Sequence, residues 1–497
     1  MLHFRALCTA AGIAVGFLVY GLCVTTFGLS HPAAVTAAVT ALCGVWWCTE
    51  AVPIPVTSLV PFVVFPFAGV LDHRLLAEAY GDKFVLLFMA GFMISRAAEH
   101  SQTHLRVSHG LMKLLGTSSQ RRIVLGFLAA TAFSSMWISN TATALIMLPV
   151  AIAVLHEQKD SRLHVPLLLA VAYGSSIGGI ATIIGTPPNG VFVSIYEQQN
   201  ERTVDFFSWL KVGVPVAAIM IVVTGVLLTR GLSRSCSMQL QDLGRWTSAQ
   251  RRVLGVLSLT AFLWITRSAP YGGWSALFDV PMAHDATVGL AAVIALFLIP
   301  SGTTTVHQSK KGKTAERVEA DRLLDWQTAR DIPWGILILF GGGLAIAKAA
   351  EVTGLSVIIG SQFSHLSGLH PLLLIAVICL TVTFLTEVTS NTATTTLLMP
   401  ILGAAAEGAG YNAAFLMVPA ALSASCAFML PVATPPNAIV FGSEQLTVRD
   451  MAKAGFALNL IGVIVISVVC YFVVDSQHGI GHAVAAPAIQ IEPTPTR

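Results

Sequence analysis

Two short clusters of hydroxyl and amide side chains lie inside long apolar stretches, and they are near copies of each other. Ser139-Asn140-Thr141-Ala142-Thr143 returns as Ser390-Asn391-Thr392-Ala393-Thr394 at an offset of 251. Hydroxyl and amide oxygens are the ligands a hard cation such as sodium selects, and the same side chains, with backbone amides at helix starts, can hold a carboxylate. A second ingredient follows each cluster: Thr186-Pro187-Pro188-Asn189 recurs as Thr434-Pro435-Pro436-Asn437 at an offset of 248. Paired prolines cannot continue a regular helix, so each pair breaks one and leaves carbonyls free. Unpartnered polar groups are costly in hydrocarbon, so such clusters at membrane depth call for a ligand. The chemistry they suit is the holding of a small anion with its cations. No enzymatic step is expected.

The rest of the composition says where these clusters must sit. Of 497 residues, 55% are hydrophobic and only 11% charged, against the roughly 25% charged of a soluble protein. A mean hydropathy of +0.75 agrees. The chain therefore reads as a polytopic membrane protein whose surroundings are a lipid bilayer, and nothing points to nucleic acid. The cysteines, Cys236 in a polar loop and the others in or beside apolar runs, form neither a disulfide framework nor a metal-ligand spacing.

The elements that would position the clusters follow in order. A first helix is predicted from Leu7 to about Leu29, too long for a signal peptide. A second runs from about Val35 to Cys48. A third, bent at its start by Pro53, Pro55 and Pro61, runs to about Val70, and a fourth covers Val85 to Ala98. His104 to Leu115 reads as an amphipathic interfacial helix, with Leu105, Val107, Leu111 and Leu114 opposed to Arg106, His109 and Lys113. Ile123 to Leu155 is long but broken by Ser134-Ser135 and Ser139-Asn140-Thr141, which suits a re-entrant hairpin with a polar tip. After a loop with Lys159, Asp160 and Arg162, a span from Val165 to Ile184 ends at the first proline break. Further spans cover about Val212 to Leu228, Val253 to Ile265 and Thr287 to Ile299, before a basic loop with Lys310, Lys311, Lys313, Arg317, Arg322 and Arg330.

The first half then repeats. Gly91 to Glu99 aligns with Gly343 to Glu351 at 252, and the hydroxyl clusters and proline breaks follow in the same order at nearly the same offset, which marks an internal duplication. With the N-terminus cytoplasmic and each hairpin returning to its starting side, about three-quarters of all Lys and Arg fall inside, as the positive-inside rule asks. The two halves then have inverted topologies. Eleven spans result, with the C-terminus outside and a tail from Asp475 too polar and proline-rich to fold.

The paired motifs, both proline breaks and the early Thr49-Glu50-Ala51-Val52-Pro53 together resemble the divalent anion:sodium symporter family, over about Leu7 to Val474. The resemblance implies an all-α fold of eleven transmembrane helices plus two re-entrant hairpins, in a homodimer in the bacterial inner membrane. It implies elevator transport, with 1–83 and 209–332 as scaffold, 84–208 and 333–454 as the two transport repeats, and 455–497 as a last helix and tail. It implies sodium as co-transported ion and a C4-dicarboxylate such as succinate as substrate. Sodium site 1 would be Ser135, Ser139, Asn140 and the Gly185 carbonyl; sodium site 2 would be Thr386, Ser390, Asn391 and the Ala433 carbonyl. The anion would be held by Ser139, Asn140, Thr141, Ser390, Asn391, Thr392, Thr434 and Pro435. With no Lys or Arg in either motif, cations should bind first.

Other residues draw plainer readings. Glu387 lies beside the second cluster, but its mirror, Met136, is uncharged, which favours a structural role. His100, His104 and His109 lack a carboxylate in register for a metal, and Trp46, Trp47, Trp264 and Trp274 read as packing or interface anchors. Two rival classes stay open: a sodium-independent dicarboxylate exchanger of the same fold, and a proton-coupled antiporter, against which the mirrored breaks lack carboxylates.

Overall fold

The structure, a computed structural model, describes residues 2–116, 118–157, 161–200, 202–233, 243–268, 273–307, 317–363, 369–474, 480 and 482–483. Cys236, Lys159 with Asp160, the loop lysines 310, 311 and 313, and most of the tail lie outside the described residues.

The first half begins with α1 (Leu2–Thr25) and α2 (His31–Thr49), packed against each other. The prolines fragment the third segment into α3 (Ile54–Thr57) and α4 (Val60–Phe67), followed by α5 (His73–Tyr80), α6 (Lys83–His100) and α7 (Thr103–Leu115). Asp72 and Asp82 cap the starts of α5 and α6 by accepting backbone amides. The first hairpin is α8 (Gln120–Ser135) and α9 (Asn140–Glu157), with the chain turning between them at residues 136–139. The broken helix comes next as α10 (His164–Ile180) and α11 (Pro187–Gln199), then α12 (Phe206–Leu228), α13 (Ser248–Ile265), α14 (Gly273–Leu277) and α15 (Asp285–Leu298). The second half supplies α16 (Trp326–Ala329), α17 (Trp334–Val352), α18 (Leu355–Gln362), the hairpin α19 (Pro371–Leu385) and α20 (Asn391–Gly408), the broken helix α21 (Ala414–Ala424) and α22 (Pro435–Phe441), and α23 (Val448–Val473).

Five of these helices, those starting in α1, α2, α12, α17 and α23, are long and apolar enough to cross a bilayer alone among the described residues. The hairpins and broken helices are shorter because each is half of an interrupted element. The centre is built from the upstream halves of the broken helices: every residue from Leu167 to Ile180, and from Ala414 to Ala424, is buried. Small residues permit this. A Cβ on Gly178 would stand 2.1 Å from the Ala132 carbonyl oxygen, so α10 and α8 touch backbone to backbone. The halves also interlock, α11 against α20 and α22 against α9.

The repeated pair α6 and α17 run antiparallel. The start of α6, at Asp82 and Lys83, lies beside Leu344 and Lys348 near the end of α17, whereas its end, at Arg96 to His100, lies beside Gln327 to Asp331 just before α17 begins. These two ends define a Lys83 face and an Arg96 face. On the Arg96 side of the chain, Arg106 binds the carbonyls of Leu243, Gly244 and Arg245 and the Gln250 side chain.

Two details differ from the sequence expectations, and one adds to them. The buried stripe of α7 is His104, Ser108 and Met112, with the Ser108 and Ser134 hydroxyls 2.9 Å apart, while Leu114 is exposed. The loop expected between 300 and 330 contains an antiparallel pair, β2 (Pro300–His307) and β3 (Arg317–Arg322), so the fold is not purely helical; the β-branched run Thr303 to Val306 favours it. The tail is not wholly without structure either, since β4 (His482–Ala483) pairs antiparallel with β1 (Arg202–Thr203).

Candidate functional site

Both hairpin tips and both helix breaks open onto one cavity of about 1050 Å³. Its walls include Ser139, Asn140, Thr141, Gly185, Ser390, Asn391, Thr392, Ala433, Thr434 and Pro435, so the structure brings together residues separated by half the chain. Two of the expected residues, Ser135 and Thr386, do not line it; both are fully buried just behind. The cavity reaches the Arg96 face, where Glu50, Arg96, Glu99 and Asp331 form its mouth, and none of its walls comes from the Lys83 end of α6.

Each half-site is an oxygen ring with the same plan. In the first, Ser135 Oγ lies 2.7 Å from Asn140 Oδ1 and donates to the Ser175 carbonyl at 2.7 Å. The end of the Asn140 amide also faces the Gly185 and Ser175 carbonyls, at 3.2 and 3.1 Å. In the second, Thr386 Oγ1 lies 2.6 Å from Asn391 Oδ1 and donates to the Ala424 carbonyl at 3.0 Å. Oxygens packed this closely repel unless an amide N–H or a cation lies among them. Turning the Asn140 amide one way supplies the N–H, and turning it the other way presents an oxygen to a cation.

The local folding explains why the carbonyls are available. Helices α8 and α10 end at the first ring and α19 and α21 at the second, so each ring collects the carbonyl ends of two helices. The breaks are held open by Asn189 and Asn437. Asn189 Nδ2 donates to the carbonyls of Gly179, Ile180 and Thr182 at 3.1, 3.3 and 2.7 Å. Asn437 Nδ2 donates to those of Ala427 and Leu430 at 3.1 and 3.0 Å. These asparagines are the last residues of the two proline motifs, and their amides replace donors that a continuing helix would have provided.

Four helices also begin at the cavity: α9, α11, α20 and α22. Ser139, Ser390 and Thr434 cap three of them, accepting the amides of Ala142, Ala393 and Asn437 at 3.2, 3.5 and 3.3 Å. Helix starts carry a partial positive charge of about half an elementary unit each, so four of them form an anion-attracting end without a lysine or arginine at the bottom. Carbonyl ends beside amide ends give the cavity carbonyl-lined and amide-lined walls in contact.

Hairpin and break are tied together differently in the two halves. Thr182 Oγ1 donates to the Met136 carbonyl at 2.6 Å. At the mirrored positions Glu387 accepts the backbone amides of Phe428, Met429 and Leu430 at 2.8 to 3.0 Å, and Asn459 Nδ2 at 2.7 Å. Glu387 is 3% exposed, so this carboxylate serves as the acceptor for an unwound segment, in keeping with the structural reading of it.

Sequence reasoning missed the Ser175 and Ala424 carbonyls, because any residue type offers the same carbonyl. It could have found Asn189 and Asn437, since both stand in a motif already recognised as repeated. Of the tryptophans, Trp47 and Trp264 are buried, with Nε1 donating to Ser58 Oγ at 3.1 Å and to the Asp285 carbonyl at 2.8 Å.

Residues 6–474 match the family described as the sodium:sulfate symporter transmembrane region. A protein named sodium-dependent dicarboxylate transporter SdcS from Staphylococcus saprophyticus is 36% identical over 494 residues, covering 94% of this chain and 92% of its own length. The protein of the same name from Staphylococcus aureus strain NCTC 8325 is 36% identical over 465 residues, covering 89% and 86%. Among solved structures, the YdaH transporter of Alcanivorax borkumensis superposes with a TM-score of 0.57 at 12% identity, over 89% of this chain and 98% of that one, a likeness of fold alone.

Proposed function

Since the chain belongs to the sodium:sulfate symporter family, a family of membrane transporters and not of enzymes, we propose that it is a sodium-coupled symporter of small divalent anions, C4-dicarboxylates such as succinate foremost. The names of the two staphylococcal relatives support sodium and dicarboxylate as its substrates. The observation that carries the reading is the paired arrangement of one oxygen ring and two helix starts in each half, around one cavity. Each ring takes one sodium ion: Ser135, Ser139, Asn140 and the Gly185 and Ser175 carbonyls for the first, Thr386, Ser390, Asn391 and the Ala433 and Ala424 carbonyls for the second. The amide ends, with Thr141, Thr392, Thr434 and Pro435 beside them, take one carboxylate each. With no basic side chain at the bottom, the sodium ions supply the neutralising charge, and they bind first.

Transport follows by alternating access between inverted repeats, in an elevator arrangement within a homodimer of the bacterial inner membrane. The antiparallel course of α6 and α17 supports the inversion. The Arg96 face is cytoplasmic by its basic loops, so the cavity is open inward, and the N-terminus is inside and the C-terminus outside. The sequence boundaries at 84 and 333 fall at the starts of α6 and α17. Packing of α6 on α15, and of α17 on α2, α3, α4 and α5, favours counting both helices with the scaffold and the hairpins, broken helices, α12 and α23 with the moving body.

The test is labelled-succinate uptake into proteoliposomes with and without an inward sodium gradient, competed by malate, fumarate, citrate and sulfate. Ser139→Leu and Ser390→Leu should each abolish sodium-driven uptake in protein that still purifies as a folded species. Uptake independent of the gradient but dependent on internal substrate would make the protein an exchanger instead.

A further inference from the structure

The Lys83 face is closed, and its closing contacts join elements that the two-body reading above puts in different bodies. Lys83 Nζ at the start of α6 lies 2.6 Å from Glu197 Oε2 near the end of α11. The Glu197 side chain is only 5% exposed and that of Lys83 42%, so the carboxylate is held away from solvent while the ammonium remains reachable. The other carboxylate oxygen, Oε1, accepts the Val204 amide at 2.5 Å, which fixes the Glu197 rotamer. The next residue, Gln198, donates from Nε2 to the Leu344 carbonyl of α17 at 3.3 Å. A second bridge stands beside the first: Asp285 at the start of α15 accepts the Phe206 amide at the start of α12, at 3.1 Å. The Phe206 ring is stacked between Trp137 of the hairpin tip and Trp264 of α13.

The ion pair has no mirrored counterpart. At the offsets of the two repeats, Lys83 corresponds to Gly335 and Glu197 to Gln445, neither of them ionisable. A contact that exists when one face is closed, and cannot form when the other is, weights the two states unequally.

We propose that the Lys83–Glu197 pair is an ionic latch on the outer face, which must part for the cavity to open outward and which biases the unliganded protein toward the inward-open state. This rests on the two-body reading of transport. A partly buried pair that forms in one state only moves a two-state population by its differential contribution and no more, which for such a pair is about fivefold.

The experiment measures electron–electron distances in a cysteine-free background, in nanodiscs without substrate, between spin labels at Arg74 in α5 and Asn200 just after α11, one in each of the two bodies that the latch joins. Lys83→Gln and Glu197→Gln should each enlarge the longer-distance population about fivefold. Glu197→Gln is the variant least able to disturb folding, because its Oε1 can still accept the Val204 amide and the ammonium left behind is reachable by water. Unchanged distributions in both glutamine variants would overturn the latch. As a second measurement, Lys83→Cys with Glu197→Cys is bridged by mercuric ion: uptake should stop and return with dithiothreitol, and continued uptake while bridged would also overturn it. Absence of anion uptake in every form, native included, would count against the proposed function and leave the distance measurement to judge the latch.

Discussion

Gly179 offers a sharp test of the first cation ring. Its neighbour is Asn140: a Cβ built on Gly179 would stand 2.5 Å from Asn140 Oδ1 and 3.0 Å from Nδ2, whereas ordinary contact begins at 3.4 Å. In Gly179→Ala the Asn140 amide must therefore retreat by about 0.9 Å. A hard cation holds its oxygens at about 2.3–2.6 Å, so a shift of that size removes Asn140 from the ring. Overpacking of this kind costs about 1–3 kcal/mol, and charged against cation binding it lowers sodium affinity about 5- to 150-fold. The assay is the rise in unfolding temperature with sodium concentration, read beside the sodium dependence of uptake. Gly21→Ala is the control, because nothing lies within 4 Å of its added methyl. The mirrored residue is already Ala427, tolerated because α21 ends at Ala424 and the chain is unwound there, whereas α10 is still helical at Gly179. If Gly179→Ala keeps the native sodium dependence by both measures, the first ring is not where sodium binds.

Removing Glu387 leaves the backbone amides of Phe428, Met429 and Leu430, the first buried and the others half-buried, and Asn459 without their acceptor. Glu387→Ala should cost about 3–5 kcal/mol in thermal unfolding, and a melting temperature within about a degree of native would refute that role. Asn189→Ala and Asn437→Ala free the carbonyls of opposite breaks, so each should weaken sodium activation by about tenfold while leaving the other site in place, seen as a sodium Hill coefficient that falls toward one. Burial pushes the His284 imidazole down to about 3, with Lys83 and Arg267 adding to it, and its neutral Nδ1 accepts the Ala286 amide that starts α15. A group protonated more readily unfolded than folded withdraws stability as pH falls: nothing is lost above about 6.5, and about 1.4 kcal/mol is lost per pH unit below it, toward 3. His284→Asn keeps a cap but removes the proton site, so the acid slope of its melting temperature should flatten; an equal slope in the variant would refute this.

What the sequence made legible was whatever the duplication registers. The tips, the breaks and their order could be read because each appears twice, and side-chain types at fixed offsets carry that information. The contributions of Ser175 and Ala424 were illegible because a carbonyl has no sequence signature, and Gly179 because its value lies in an atom it lacks. The strand pair at Pro300–His307 and Arg317–Arg322 was hidden by its charges, which suggested a loop, while its β-branched residues were passed over.

The sharing of one cavity between the two halves also bears on how such a chain could arise. Neither half closes a cavity by itself, since each supplies one tip and one break. Under the proposed inversion, a half-length chain would complete such a cavity only with a second copy inserted the opposite way round. Fusion of the two genes guarantees one copy of each orientation in every molecule. It also releases the copies from having to be identical, and the chain has used that freedom where a symmetric pair could not: a carboxylate at Glu387 opposite Met136, and a lysine at Lys83 opposite Gly335.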